Sequence, residues 1–199
     1  MSRDSGEMVR SFIAINLPEA LQDDISALAE RFRNRIKHGR TRVTWVKSGS
    51  IHLTLKFLGS VETEIVPSIL ERLEEAASGV RPFSIVLGDL GVFPNLNQPR
   101  VIWVGVQKGE EEVCNLQKRV EDSLSKLDFK VEKRVFSPHL TLGRIKALGS
   151  RGEVLRALND LKVPEIGGTE VTKVALMKST LTPQGAIYTE LGSVSLKNS

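Results

Sequence analysis

Two of the three histidines in this 199-residue chain stand in the same tetrapeptide, His-Leu-Thr-Leu, at 52–55 and 139–142. In a strand, alternate side chains share a face. Each copy would therefore project its histidine and threonine together and send its leucines toward a core. If the two strands are related by a pseudo-twofold axis, His52, Thr54, His139 and Thr141 converge on one small ligand. Imidazole, with an ordinary pKa of about 6.5, gives or takes a proton near neutrality. Two imidazoles on opposite sides of phosphorus suit the opening of a strained cyclic phosphodiester. One takes a proton from water, the other protonates the departing ribose oxygen, and the threonine hydroxyls hold the non-bridging oxygens. Symmetry alone does not say which histidine is acid and which is base.

A single His-x-Thr is a weak motif, and its histidine could be an ordinary surface residue. Repetition at equivalent places of a duplicated chain is what gives the pair weight. The third histidine, His38, lies in a basic run without this setting and reads as a surface residue. Metal chemistry fits less well: a zinc site ordinarily needs at least three protein ligands. Neither motif histidine has another His, Cys, Asp or Glu at ligand spacing, and Asp89 and Glu132 are sequence-distant candidates. No metal or cofactor is expected. The one cysteine, Cys114, excludes an intramolecular disulfide and reads as a small buried helix residue.

The elements that must position the quartet follow from periodicity. Ser11–Leu17 reads as a buried strand, and Leu21, Ile25, Leu28 and Phe32 as the stripe of a helix. Extended structure is predicted at Val43–Val46, a turn at Lys47–Ser50 and the first motif strand at Ile51–Leu58. A helix over Glu62–Ala77, stopped by Gly79, a short strand at Phe83–Leu87 and a turn-rich stretch from Gly88 to Arg100 come next. The plan then repeats: a strand at Val101–Val106, a helix at Glu110–Leu127, the motif strand at Ser137–Leu142, a helix near Arg151–Asn159 and a strand near Val171–Ser179. Phe12 to His52 is 40 residues and Val101 to His139 is 38; His52 to Phe83 is 31 and His139 to Val171 is 32. These spacings read as a degenerate duplication.

The expected fold is α+β: two pseudo-symmetric lobes, each a mainly antiparallel sheet with packed helices, around a central cleft. Residues 1–199 form one internally duplicated domain in this reading, with copies at about 11–90 and 100–180 and a C-terminal hairpin at about 174–192.

Composition narrows the partner. The chain carries 28 Lys and Arg against 24 Asp and Glu, a formal charge of +4, which favours a polyanion. Arg31, Arg33, Arg35, Lys37, Arg40 and Arg42 concentrate that charge. They could track a phosphate backbone or form the solvated end of a helix. The polar Met1–Arg10 start and the absence of an apolar run near the roughly 20 residues of a membrane span point to a cytoplasmic protein.

Several stretches carry a resemblance. They are Arg10–Ile15, Trp45, His52–Gly59, Gly91–Pro94, Pro99–Gly105, Phe136–Arg144 and Leu181–Tyr188, in consistent order over about residues 10–192. The chain resembles the 2H phosphoesterases, named for two His-x-Thr-x motifs. More narrowly it resembles the bacterial and archaeal RNA 2',3'-cyclic phosphodiesterases, also described as 2'-5' RNA ligases. The resemblance implies hydrolysis of an RNA 2',3'-cyclic phosphate end to a 2'-phosphomonoester. It also implies His52 as proton donor, His139 as proton acceptor, and Thr54 and Thr141 as phosphate ligands. The implied partner is RNA with such an end, tRNA fragments included; a monomer is expected.

Four further substrate-binding candidates follow. Lys56 shares the alternation of His52 and Thr54, and Arg144 follows the second motif but points away unless a bulge turns it. Phe136 and Tyr188 could stack a terminal base, whereas Phe57 falls on the leucine face and reads as core. Alternatives are RNA 2'-5' ligation, a small cyclic-nucleotide phosphodiesterase, and a non-catalytic module that binds RNA ends.

Overall fold

The apolar segment near the start forms β1 (Met8–Asn16), and both tetrapeptides open strands, β3 (His52–Glu62) and β6 (His139–Ala147). The other strands are β2 (Arg42–Trp45), β4 (Phe83–Phe93), β5 (Val101–Lys108), β7 (Gly167–Val171), β8 (Lys173–Thr182) and β9 (Gly185–Ser195). This computed structural model describes residues 7–161, 165–183 and 185–197. Its nine strands form one antiparallel sheet in the order β7-β4-β5-β6-β3-β1-β8-β9, with β2 pairing to β6.

Four helices, α1 (Glu19–Ile36), α2 (Val66–Ala77), α3 (Glu110–Leu124) and α4 (Arg151–Asp160), pack against one face of the sheet. The predicted stripe of α1 is buried: Leu21, Ile25, Leu28 and Phe32, joined by Ala29 and Ile36. Glu110, Glu111 and Glu112 occupy the first turn of α3, where the helix dipole favours negative charge. Ser150 caps α4, its hydroxyl accepting from the Gly152 N–H at 3.1 Å.

The α+β architecture in two halves is as predicted, but the halves share one sheet and exchange strands. They meet in one continuous sheet through a single β3–β6 bridge, Leu53 to Leu140. Strand β4 follows the first motif yet pairs with β5, and β8 follows the second motif yet pairs with β1. The helices cross over too, α2 packing on α3 and α1 on α4. Arg119 of α3 donates to the Ala76 carbonyl at 2.7 Å and the Ser78 carbonyl at 2.6 Å.

Some predicted boundaries move. β4 continues to Phe93 through the expected turn region, because Asp89 (φ 58°) takes a left-handed conformation that absorbs one residue as a bulge. The strand expected near 171–179 divides at Thr172, Val171 ending β7 and Lys173 opening β8. The C-terminal hairpin is β8–β9. Gln184 at its turn and Met1–Gly6 of the polar start lie outside the described residues. Cys114 is half-buried on α3 rather than buried.

Candidate active site

Alternation on β3 and β6 sends Leu53, Leu55, Leu140 and Leu142 into the helix-side core and leaves His52, Thr54, His139 and Thr141 half-buried on the opposite, open face. The Leu53–Leu140 bridge lies between the two motifs, and its antiparallel run sets His52 across from Thr141 and Thr54 across from His139 in backbone register. The quartet therefore comes together at the pseudo-twofold axis.

Both imidazoles are held by the same device. Nδ1 of His52 lies 2.9 Å from the Ser50 carbonyl oxygen, and Nδ1 of His139 lies 2.8 Å from that of Ser137. A carbonyl only accepts, so each Nδ1 carries a hydrogen and Nε2 is left free of that bond, able to give or take a proton.

The surroundings of the rings differ. His52 stacks on Phe12 (4.7 Å, 30° between planes) and meets the edge of Tyr188 (4.9 Å, 84°). Phe12, Ala14, Ala175 and Met177, with Tyr188, form a small apolar cluster beneath it on the open face. His139 meets Phe93 edge-on (4.8 Å, 82°), and Phe93 stacks on Trp103 (5.0 Å). Burial lowers the pKa of both histidines below the ordinary value, and the carbonyl hydrogen bonds oppose this. For His139 alone, the Arg144 cation adds to the lowering.

Two matching bulges decide what else reaches the open face. Opposite β1, Ile13 pairs with Lys56 and Ala14 with Thr54, so Leu55 is an extra residue. Opposite β5, Ile102 pairs with Gly143 and Trp103 with Thr141, so Leu142 is the extra one. After each bulge the alternation is inverted. This corrects two expectations. Lys56 does not share the His52 face; it is turned to the helix side and buried against Glu121 of α3, with Nζ to Oε2 at 2.5 Å. Phe57 is not core but 68% exposed, 6.2 Å from the Phe12 ring. The second bulge carries Arg144, five residues after His139 as Phe57 is five after His52, onto the open face, where it is exposed.

Phe136, half-buried ahead of β6, packs against the main core. One other expectation changes. The basic run divides: Arg33 pairs with Glu30 (3.1 Å) and Arg35 with Asp160 of α4 (3.6 Å), both on the helix side. Arg42 shares the open face with Thr44, the register partner of Arg144. Tyr188, by contrast, lies against His52.

Sequence reasoning missed Phe12, Phe93 and Trp103 as neighbours of the site. The available signal was alternation on β1, which puts Phe12, Ala14 and Asn16 on one face, but it needed the pairing of β1 with β3 to become readable. Trp103 depends on glycines around it: a Cβ at Gly91 would overlap its ring, and one at Gly105, the register partner of His139, would lie 3.2 Å from it. A cavity of about 720 Å³ between β4 and α4 touches Trp103 but neither histidine. Among the described residues no three His, Cys, Asp or Glu converge as a metal-binding cluster.

Known proteins resemble this chain along most of its length. The LigT-like phosphoesterase model matches twice, over residues 15–103 and 104–188. The RNA 2',3'-cyclic phosphodiesterase of Methanothermobacter thermautotrophicus is 35% identical over 92% of this chain and 96% of its own. That of Aeropyrum pernix is 37% identical over 85% of this chain and 95% of its own. The crystal structure of TT0787 from Thermus thermophilus superposes with a TM-score of 0.75 at 29% identity, covering 95% of this chain and 98% of that one. A duplicated match across nearly the whole length, joined to two equivalent His-Leu-Thr-Leu strands, means that the chain belongs to the LigT-like phosphoesterase family.

Proposed function

We propose that this chain hydrolyses the 2',3'-cyclic phosphate of an RNA end to a 2'-phosphomonoester without a metal, using His139 as base and His52 as acid. The observation that carries the reading is the matched pair of histidines, each with Nδ1 committed to a carbonyl and Nε2 left free for proton transfer. The relatives' shared name, RNA 2',3'-cyclic phosphodiesterase, supports the substrate. Water attacks phosphorus and passes its proton to Nε2 of His139. The bond from phosphorus to the 3'-oxygen breaks in line, and that oxygen takes the proton from Nε2 of His52. Thr54 and Thr141 donate hydrogen bonds to the non-bridging oxygens, where charge accumulates. Exchange of both protons with solvent resets the pair.

Arg144 supports the assignment of roles. A cation beside His139 disfavours its protonated form, which suits a base, whereas no such cation acts on His52. Arg144 also suits a phosphate contact, and Tyr188 and the exposed Phe57 suit stacking on the terminal base. Arg42 is the member of the basic run best suited to an RNA strand at this face. The duplicated chain, 1–199, acts in this reading as one monomeric cytoplasmic domain on RNA ends that include tRNA fragments. Ligation follows the same path when the 5'-hydroxyl of a second RNA attacks the cyclic phosphate in place of water, leaving a 2'-5' linkage and a free 3'-hydroxyl.

The test is product identification from an RNA with a 2',3'-cyclic phosphate end, alongside 2',3'-cyclic mononucleotides, after exhaustive chelation. A 2'-phosphate product at undiminished rate is expected. Activity abolished by chelation and restored by zinc overturns the mechanism. Arg42→Glu should raise KM for the RNA more than for the mononucleotide, while Arg35→Glu on the helix side changes neither.

A further inference from the structure

Lys56 and Glu121 form an ion pair with side chains only 4% and 8% exposed, on the helix side of β3, away from the four residues of the motifs. Such a pair is a weak source of net stability, because desolvation of both charges offsets their attraction. An apolar pair of similar volume would fill the space as well. What an apolar pair cannot do is hold backbone polar groups, and this pair holds two. Lys56 Nζ donates to the Lys130 carbonyl at 2.8 Å, and the Glu132 N–H donates to Glu121 Oε2 at 3.4 Å. Gln117 steadies the other Glu121 oxygen from one turn earlier on α3, donating at 3.2 Å.

Lys130 and Glu132 belong to the irregular segment between the 3-10 turn Ser125–Leu127 and β6. This segment delivers Ser137, whose carbonyl holds Nδ1 of His139. Phe129 and Phe136 anchor its two ends by packing on the core. Between them, the hydrogen bonds that join 130–135 to the rest of the described residues are the two made by the ion pair. The first half is built otherwise. Ser50, which holds His52, sits in a 3-10 turn closed by its own backbone bonds, Ser50 N–H to the Lys47 carbonyl and Ile51 N–H to the Ser48 carbonyl, each 3.0 Å. The register equivalent of Lys56 after the second bulge is Gly143, where a Cβ would lie 2.6 Å from Val43 of β2. There β2 itself packs against the bulge, and no long polar side chain is needed.

We infer that the Lys56–Glu121 pair is a positioning device that fixes the His139 approach segment to the strand carrying His52, setting the separation of the two imidazoles. The consequence for catalysis rests on the two-histidine reading above; the anchoring does not. Lys56 and Glu121 touch no reacting atom and act through residues 130–137.

The test is the double variant Lys56→Met/Glu121→Leu, which keeps the volume and removes both charges. The expected result is a Tm near that of the wild type, kcat on a cyclic-phosphate substrate lowered about 10- to 100-fold, as for a misplacement near 1 Å, and KM little changed. Trypsin cleavage after Lys130, Lys133 or Arg134 should be accelerated at least about tenfold at a temperature where both proteins are folded, since cleavage follows local opening. Wild-type kcat in the double variant overturns the proposal. So does a loss of kcat matched by loss of folded protein, with no selective cleavage at 130–134. Should the double variant not fold, Glu121→Gln carries the test, with a smaller kcat loss and faster cleavage expected and unchanged values overturning. A wild-type protein that leaves cyclic phosphates intact would sink the proposed function, while the cleavage comparison would still decide the anchor.

Discussion

The two halves of the site begin from the same tetrapeptide and the same carbonyl-held imidazole, yet they offer a ligand different chemistry. Around His52 the open face is aromatic and apolar, with Phe12, Tyr188, Ala175, Met177 and the exposed Phe57. Around His139 it holds Phe93 and Trp103 but also the Arg144 cation. The pseudo-twofold axis thus keeps what both proposed proton transfers require and varies what tells them apart. Phe57 and Arg144 are the sharpest case, because the same bulge at the same distance from its histidine presents an aromatic ring on one side and a cation on the other. Opening a cyclic phosphate is itself asymmetric: a nucleoside oxygen leaves on the acid's side and water attacks on the base's side.

The strongest way to break this comparison is to remove each imidazole in turn. His52→Ala and His139→Ala should each lower kcat by about 10²- to 10⁴-fold. His139→Ala should abolish the acid limb of the pH profile and His52→Ala the alkaline limb. Because burial lowers both pKa values in the free protein, the wild-type alkaline limb of kcat/KM should begin below pH 6.5. The corresponding limb of kcat should lie higher, since the bound phosphate anion favours protonated His52. A variant with near-wild-type turnover would refute the pairing of roles.

A smaller effect separates the two equivalent bulge residues. Arg144→Ala should lower kcat/KM by about 10- to 100-fold, as loss of a charge-assisted hydrogen bond to phosphate would. It should also move the acid limb upward, because His139 loses a nearby cation. Phe57→Ala should raise KM several-fold for a nucleotide substrate and leave both limbs in place. If the two substitutions shift the pH profile alike, the halves are not divided as described.

Stability should register the asymmetry beneath His139. Gly91→Ala drives a Cβ into the Trp103 ring and should cost about 1–3 kcal/mol, read as a lowered Tm. The exposed glycine Gly59, beside a further bulge of β3, offers a control without such a clash, although its φ of 79° makes alanine strained there too. Gly91→Ala should therefore lower kcat as well as Tm, whereas Gly59→Ala lowers Tm alone.

The mildest prediction concerns folding and pH. Both histidines have folded pKa values below their unfolded ones, so the unfolded chain binds more protons on acidification. Their contribution is fully present above about pH 6.5 and is lost as pH falls through the lowered folded values. Tm measured between pH 7.5 and 5 should decline less in the His52→Ala/His139→Ala double variant than in the wild type.

Much of this molecule was legible before its fold. Strict alternation put His52 with Thr54 and His139 with Thr141, because a side-chain period of two needs no partner strand to be read. The stripe of α1 was legible for the same reason, its period being local. Lys56 and Phe57 were misread because alternation was carried past Leu55, where the extra residue inverts it. That bulge exists only in the pairing of β3 with β1. Phe136 could not be placed from the sequence, because the same aromatic ring serves a core or a ligand according to what packs on it.

The sequence by itself determined the two histidines proposed as acid and base, their partners on each strand and the duplication that supplies two of them. Those properties depend on residue type and near spacing. Tertiary structure decided that the halves exchange β4 and β8, that Phe12, Phe93, Tyr188 and Arg144 form the rings' surroundings, and that Lys56 lies buried against Glu121. Those depend on register, on bulges and on contacts between residues far apart in the chain, for which local periodicity carries no signal.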